Sequence, residues 1–236
     1  MYSRRDFGRA GLAGLAASSV ATTLLAGRPV LAQTRIDSSV NGVRLGMGTG
    51  SLNPLPPTPP GGDVIDTVIK GCVECGMGYI ELVNGLVEPQ FAGIGGGNRI
   101  PDPLTPDWIA NRPKLREWRI NAPIARFQEI RSKFDAAGLK LISYVMTFTS
   151  DFSMEEIDAV FRHADALGVE VITTNQSQVP IGRKLAAFAA RYRAKPSWHN
   201  HARTDDWDEV ASLESFDEVL AMSPNFKINL DIGHFT

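Results

Sequence analysis

The sequence predicts an α/β fold, a parallel barrel of the (β/α)8 TIM-barrel type of which about six β/α units are present. Three observations predict it. From Val43 onward, short apolar runs alternate with amphipathic stretches, the pattern of strands joined by helical crossovers. Equivalent points recur at one unit's length: Gly138 and Gly168 lie 30 residues apart, His199 and Asp231 lie 32, as parallel strands with intervening helices require. Strand parity then separates a greasy face from a polar one. Ile228, Leu230 and Ile232 alternate with Asn229 and Asp231; Ser197, His199 and His201 fall together; Glu81 opposes Ile80 and Leu82. A doubly wound sheet is apolar on both faces, whereas a barrel tolerates a polar interior near its mouth.

The elements follow in order. Val43 to Met47 is the first strand; Val64, Ile65, Val68, Ile69 and Cys72 mark one face of a helix from Val64 to Cys75; Tyr79 to Val83 is strand two. The stretch from Asn84 to Asn121, with three consecutive glycines from 95 to 97 and prolines at 101, 103, 106 and 113, predicts an inserted rim loop with a short helix near Trp108. Ile124, Phe127, Ile130, Phe134 and Ala137 form the stripe of a helix ending at Gly138, before strand three, Leu139 to Met146. Ser153 and Glu156 have capping-box spacing and open a helix that Gly168 ends. Strand four (Val169 to Thr174), a helix (Ile181 to Arg193), strand five (Lys195 to His201), a helix (Phe216 to Met222) and strand six (Lys227 to Ile232) complete the series.

Residues 1–32 read as a targeting segment. Ser3-Arg4-Arg5-Asp6-Phe7 is a twin-arginine pattern, a small and apolar stretch runs from Ala10 to Ala26, and Val30-Leu31-Ala32 suits a signal peptidase. The alternative is a membrane anchor, but Gly11, Gly14, Ser18, Ser19, Thr22 and Thr23 make the stretch weakly apolar for a permanent span. The expectation is twin-arginine export, cleavage after Ala32, a periplasmic mature chain, residues 33–236, with no stable membrane span, and one barrel domain. Its formal net charge moves from −2 for the whole chain to −5 after cleavage. An acidic chain without a basic, aromatic-studded patch excludes nucleic acid as a partner. Cys72 and Cys75 form a C-x-x-C late in a helix rather than at its N-terminus, which points to helix packing over redox chemistry. The glycines of Gly46-Met47-Gly48-Thr49-Gly50 open no helix in the G-x-G-x-x-G pattern, so dinucleotide binding is not expected.

Chemistry concentrates at the strand ends. Imidazole and carboxylate hold divalent cations in open sites, and His199 and Asp231 are the metal-ligand candidates; the alternative is a His–Asp hydrogen-bonded pair bracing the barrel mouth. His201 shares the face of His199. His234, beyond Gly233, leaves the strand toward a substrate or stands as a loop histidine in water. Glu81 faces inward as an acid–base group or as an internal salt-bridge partner.

His199-Asn200-His201 at one strand end, Asp231-Ile232-Gly233-His234 at the next and Gly78-Tyr79-Ile80-Glu81-Leu82 on strand two resemble the xylose-isomerase-like TIM-barrel superfamily of sugar phosphate isomerases and epimerases. The resemblance runs from Val43 to Thr236 and is most specific at Asp231 to His234. It implies a divalent cation (Mn, Mg, Co or Zn) at the C-terminal mouth, with Asp231 as ligand, His199 as a site residue, His199 or His201 in the place of the strand-five ligand, and His234 or His201 orienting hydroxyls of a sugar or polyol. Glu81 matches the family's strand-two glutamate and is a candidate base. The implied chemistry is proton abstraction next to a carbonyl, through an enediolate. Two departures stand out: strand five holds no carboxylate where related epimerases place a glutamate ligand, and ligands expected on strands seven and eight fall beyond Thr236. The expectation is therefore a C-terminally truncated chain. The competing functional class is a non-catalytic periplasmic carbohydrate- or metal-binding protein on the same barrel.

Overall fold

A computed structural model describes residues 34–52, 57–94, 100–175, 177–206 and 208–234. The expected export segment and the glycine run at 95–97 lie outside the described residues, as does part of the expected proline-rich rim loop. A curled parallel sheet carries the fold. Its strands are β3 (Gly46–Gly48), β4 (Tyr79–Val83), β5 (Lys140–Val145), β6 (Val171–Thr173), β7 (Lys195–His199) and β8 (Lys227–Asn229). Each pairs with its predecessor in sequence, with no reversal of order. An order that never reverses is that of a barrel, because a doubly wound sheet turns back at its switch point. Between the strands lie α1 (Val64–Glu74), α2 (Pro106–Asn121), α3 (Ile124–Ala136), α4 (Met154–Leu167), α5 (Gly182–Arg191) and α6 (Leu213–Ala221). None of these is long and apolar enough to cross a membrane.

The core forms where helix stripes meet the outer face of the sheet. Ile80 and Leu82 of β4, Tyr144 of β5, Ile172 of β6 and Trp198 of β7 are buried against Val68, Phe127, Phe134, Val160 and Leu185. The polar parity extends inward as expected: Ser143, Thr173 and Ser197 are buried on the opposite face from these residues. Asp63 caps α1 by accepting from the Ile65 amide, and Cys72 is buried on that helix while Cys75 is exposed, both as free thiols. Burial pushes the Cys72 thiol up to about 11, which makes it a packing residue.

Four features depart from the sequence reading. First, Val43 does not begin the barrel sheet. Val43–Arg44 (β2) pairs antiparallel with Ser39–Val40 (β1), around Asn41 and Gly42 at φ 50° and 80°, a two-residue turn for which Asn-Gly is the preferred sequence. Second, the stretch read as a loop holds the 16-residue α2. Thr105 caps it by accepting from the Trp108 amide, Pro106 sits in its first turn, and Pro113 is carried inside it. Its buried face is Arg112, Leu115 and Arg119, which an apolar-periodicity search cannot see. Third, Ser153 accepts from the Glu156 amide as expected, but the Glu156 carboxylate turns to Arg112 and Arg119 instead of completing the box. Fourth, Ile228, Leu230 and Ile232 are 48%, 53% and 79% exposed, because β8 is a sheet edge and its apolar side meets no helix among the described residues.

Two stability predictions arise here. A Cβ on Gly78 would stand 1.8 Å from the Ile36 carbonyl oxygen, where the segment before β1 crosses the sheet and Ser38 Oγ accepts from the Gly78 amide at 2.9 Å. Gly78→Ala is expected to lower stability by about 1–3 kcal/mol, read as a fall in the urea midpoint. The fourth histidine, His163 on α4, is 1% exposed, stacks on Phe127 at 3.9 Å, and has no hydrogen-bond partner on either ring nitrogen. Burial, with help from Arg162 and Arg119, drives its pKa down to about 3. The folded state therefore refuses a proton that the unfolded chain takes up near pH 6.5, and stability falls as pH drops from there toward 3, by about 1.4 kcal/mol per unit. His163→Phe should shrink the stability difference between pH 7 and pH 5 by about 2 kcal/mol; an unchanged difference in denaturant titrations at the two pH values would refute this.

Candidate metal centre

The site forms where β7 and β8 end. His199 is the last residue of β7 and His201 follows by two; Asp231 lies just past β8, and Ile232–His234 is a short 3-10 turn. One nitrogen from each of His199, His201 and His234 falls within 4.8 Å of the others. The three rings stand nearly perpendicular to one another, at 84°, 83° and 87°, with centroids 4.9–5.9 Å apart. The Asp231 carboxylate lies beside them, Oδ2 being 3.9 Å from His199 Nε2 and 3.6 Å from His234 Nε2. Four of the five residues expected from sequence, His199, His201, Asp231 and His234, thus converge.

Glu81 stands on β4, in a pocket of about 220 Å³ shared with Gly48, Gly50, Thr173, Asn175 and His199. Its Oε2 accepts from Thr173 Oγ1 at 2.6 Å, and that hydroxyl also meets Ser143 Oγ at 2.7 Å and Asn229 Nδ2 at 3.1 Å. Since Thr173 has one proton and gives it to Glu81, it accepts from Ser143 and Asn229. A Cβ on Gly48 would come 3.6 Å from Glu81 Oε1, so the glycine leaves that oxygen open to the pocket. Glu81 has no cationic partner at salt-bridge distance among the described residues.

Several supporting residues escaped the sequence reading. The His201 amide donates to Val210 O at 2.9 Å, closing the loop after β7 and bringing Glu209 Oε1 against His201 Nδ1. Arg203 contacts the other oxygen of Glu209 at 2.7 Å. A carboxylate on one ring nitrogen fixes the orientation of an imidazole and leaves the other nitrogen for coordination. No local motif announces Glu209; the acidic run from Asp205 to Glu209 was its only trace. Asn200, buried at 1% exposure, was read only as the spacer between two histidines.

These groups suit a cation. Burial, then the neighbouring His201, lowers the His199 pKa below its ordinary value, against the opposing pull of Asp231 and Glu81, so the ring is neutral and its lone pair available near pH 7. His199 Nδ1 is also buried without a hydrogen-bond partner, an orphan that coordination or a bound ligand would satisfy. Three imidazoles and a carboxylate at the rim of a parallel barrel form a donor set for a divalent transition metal.

Solved structures resemble this chain to differing degrees. An uncharacterized protein from Parabacteroides distasonis superposes with a TM-score of 0.50 at 19% identity, over 81% of this chain and 64% of that one. The probable 3-DHS dehydratase AsbF of petrobactin synthesis from Bacillus anthracis gives 0.49 at 13% identity, over 81% and 64%. A xylose isomerase domain protein from Planctomyces limnophilus gives 0.43 at 14% identity, over 70% and 58%. The likeness is one of fold, and the chain spans 64% of the length of the first two structures. No protein-family model and no curated protein matches the chain.

Proposed function

We propose that this chain is a divalent-metal-dependent isomerase or epimerase of small sugars or polyols, working by proton abstraction next to a carbonyl. One observation carries the reading: three mutually perpendicular imidazoles and a carboxylate meet at the ends of two parallel strands, next to a pocket holding an inward-facing glutamate. His199 and Asp231 hold the cation, with His201 and His234 completing the imidazole face or orienting substrate hydroxyls. A cation bound there supplies a Lewis acid that stabilises the negative charge developing on an enediolate. Glu81 takes the proton on Oε1, the oxygen that Gly48 leaves open, while Thr173 holds Oε2 and so fixes the plane of the carboxylate. Residues 1–32 act, in the same proposal, as a twin-arginine export signal, and the mature chain works in the periplasm.

The test is to purify the protein without chelator, measure its metal content, and follow solvent deuterium into a panel of keto sugars. Bound metal with exchange is the expected result. Metal without exchange across the panel would favour a binding protein on the same barrel, and a protein that takes up no Mn²⁺, Co²⁺ or Zn²⁺ would end the metal reading. Glu81→Gln should suppress exchange by roughly 10²–10⁴-fold, the contribution of a positioned base, with metal content unchanged.

A further inference from the structure

We propose that Asn200 is a positioning residue of the metal centre, its side chain supplying a rung of pairing that the backbone does not make. The inference rests on the metal reading above. Backbone register between β7 and β8 stops at His199 opposite Asn229. One step further on, Asn200 Nδ2 donates to Asp231 O at 3.1 Å, and Asn200 Oδ1 accepts from the Asp231 amide at 2.8 Å. The side-chain amide thus stands in for a peptide group, with one donor and one acceptor side by side, and it does so at 1% exposure, where each bond lost leaves a buried group unmet.

The placement of this clamp gives it consequences for the site. Asn200 sits in the chain between His199 and His201, and the residue it grips bears the carboxylate beside His199 and His234. The turn it holds has little else to hold it. Its remaining hydrogen bonds among the described residues are internal, from the Gly233 amide to Asp231 Oδ1 at 2.7 Å and from the His234 amide to Asp231 O at 3.2 Å. It follows an edge strand, and Ile232 is 79% exposed. Two bonds from one side chain therefore join the half of the centre on β7 to the half beyond β8. Aspartate in place of Asn200 lacks the donor, and serine is too short to reach both backbone groups.

Asn200→Leu removes both bonds while keeping the side chain's branched four-heavy-atom skeleton. In the full chain, Co²⁺ affinity read by absorption titration should fall about 10–100-fold, as for loss of a group that orients a ligand. Amide exchange at Asp231 should accelerate in the metal-free protein. Val219→Ala, a buried change on α6, should lower stability while leaving Co²⁺ affinity within about threefold. Undiminished Co²⁺ affinity in Asn200→Leu overturns the inference, and so does an equal loss in Val219→Ala, which would make the effect one of general stability. Should the leucine variant fail to fold, Asn200→Ser gives the same reading. A wild-type protein that binds no Co²⁺ refutes the metal reading itself and takes this inference with it.

Discussion

Asp231→Ala is expected to abolish both cation uptake and turnover while leaving the fold intact. The separation follows from which atoms of Asp231 do what. Its backbone is gripped by Asn200 at both amide and carbonyl, and alanine keeps those bonds. Its carboxylate faces His199 and His234 at 3.9 and 3.6 Å and is the anionic member of the donor set. Structurally, the variant loses the bond from the Gly233 amide to Oδ1, worth about 1 kcal/mol. Functionally, it removes a ligand of the proposed centre, and the loss in affinity should exceed the roughly 10–100-fold that follows loss of a supporting partner. Metal analysis beside a thermal melt without metal decides it: a full metal complement in Asp231→Ala removes the residue from the centre.

Arg119→Met should destabilise the protein by about 3–5 kcal/mol, the cost of leaving a buried carboxylate without its partner. Arg119 is 0% exposed. It clasps Glu88 through Nε at 2.7 Å and Nη2 at 2.8 Å, and reaches Glu156 through Nη1 at 2.8 Å. Burial opposes its charge, yet the two carboxylates hold its pKa above the ordinary value. The partners suffer unequally. Glu156 retains Arg112 at 2.8 Å and Arg116 at 3.4 Å, whereas Glu88 keeps Asn84 Nδ2 at 2.8 Å as its other side-chain partner among the described residues. Adding Glu88→Gln should therefore restore most of the lost stability. Equilibrium denaturation of the single and double variants measures both, and a loss under 1 kcal/mol for Arg119→Met would show that the network is not sealed from water. The cluster ties α2 and α4 to the chain just beyond β4, so a loosened Glu88 should also blur the placement of Glu81.

How much of this was legible in sequence depended on whether the signal was local. Strand β4 and helix α1 stood out because their apolar periods come from faces packed against one core, and Glu81, His199 and Asp231 fell on the inner face by simple alternation. Helix α2 did not, since its buried face is held by ion pairs to residues more than 30 positions away, and its prolines pointed to a loop. The hairpin at Asn41-Gly42 carried a local signal that the apolar run from Val43 obscured. The His201–Glu209 contact depends on a loop closing back to Val210, and the Asn200 clamp on two strands ending in register. Neither leaves a periodicity to find. Ile228, Leu230 and Ile232 show the converse: alternation correctly separates two faces, but only the neighbours decide whether a face is covered.

The strand order also bears on how the chain assembles in time. Every pairing in the barrel sheet joins a strand to the one synthesised before it, and the longest step is from Tyr79 to Lys140. Among the described residues no contact in the sheet waits for a distant strand, so the largest loop to be closed there is about 60 residues, and each doubling of loop length costs only about 0.6 kcal/mol. Such a topology lets one β/α unit settle on the last as the polypeptide emerges, with a single growing edge. On that route His199 and His201 are in place before Asp231 and His234 arrive, and the turn that carries these two docks onto an imidazole cluster already half built.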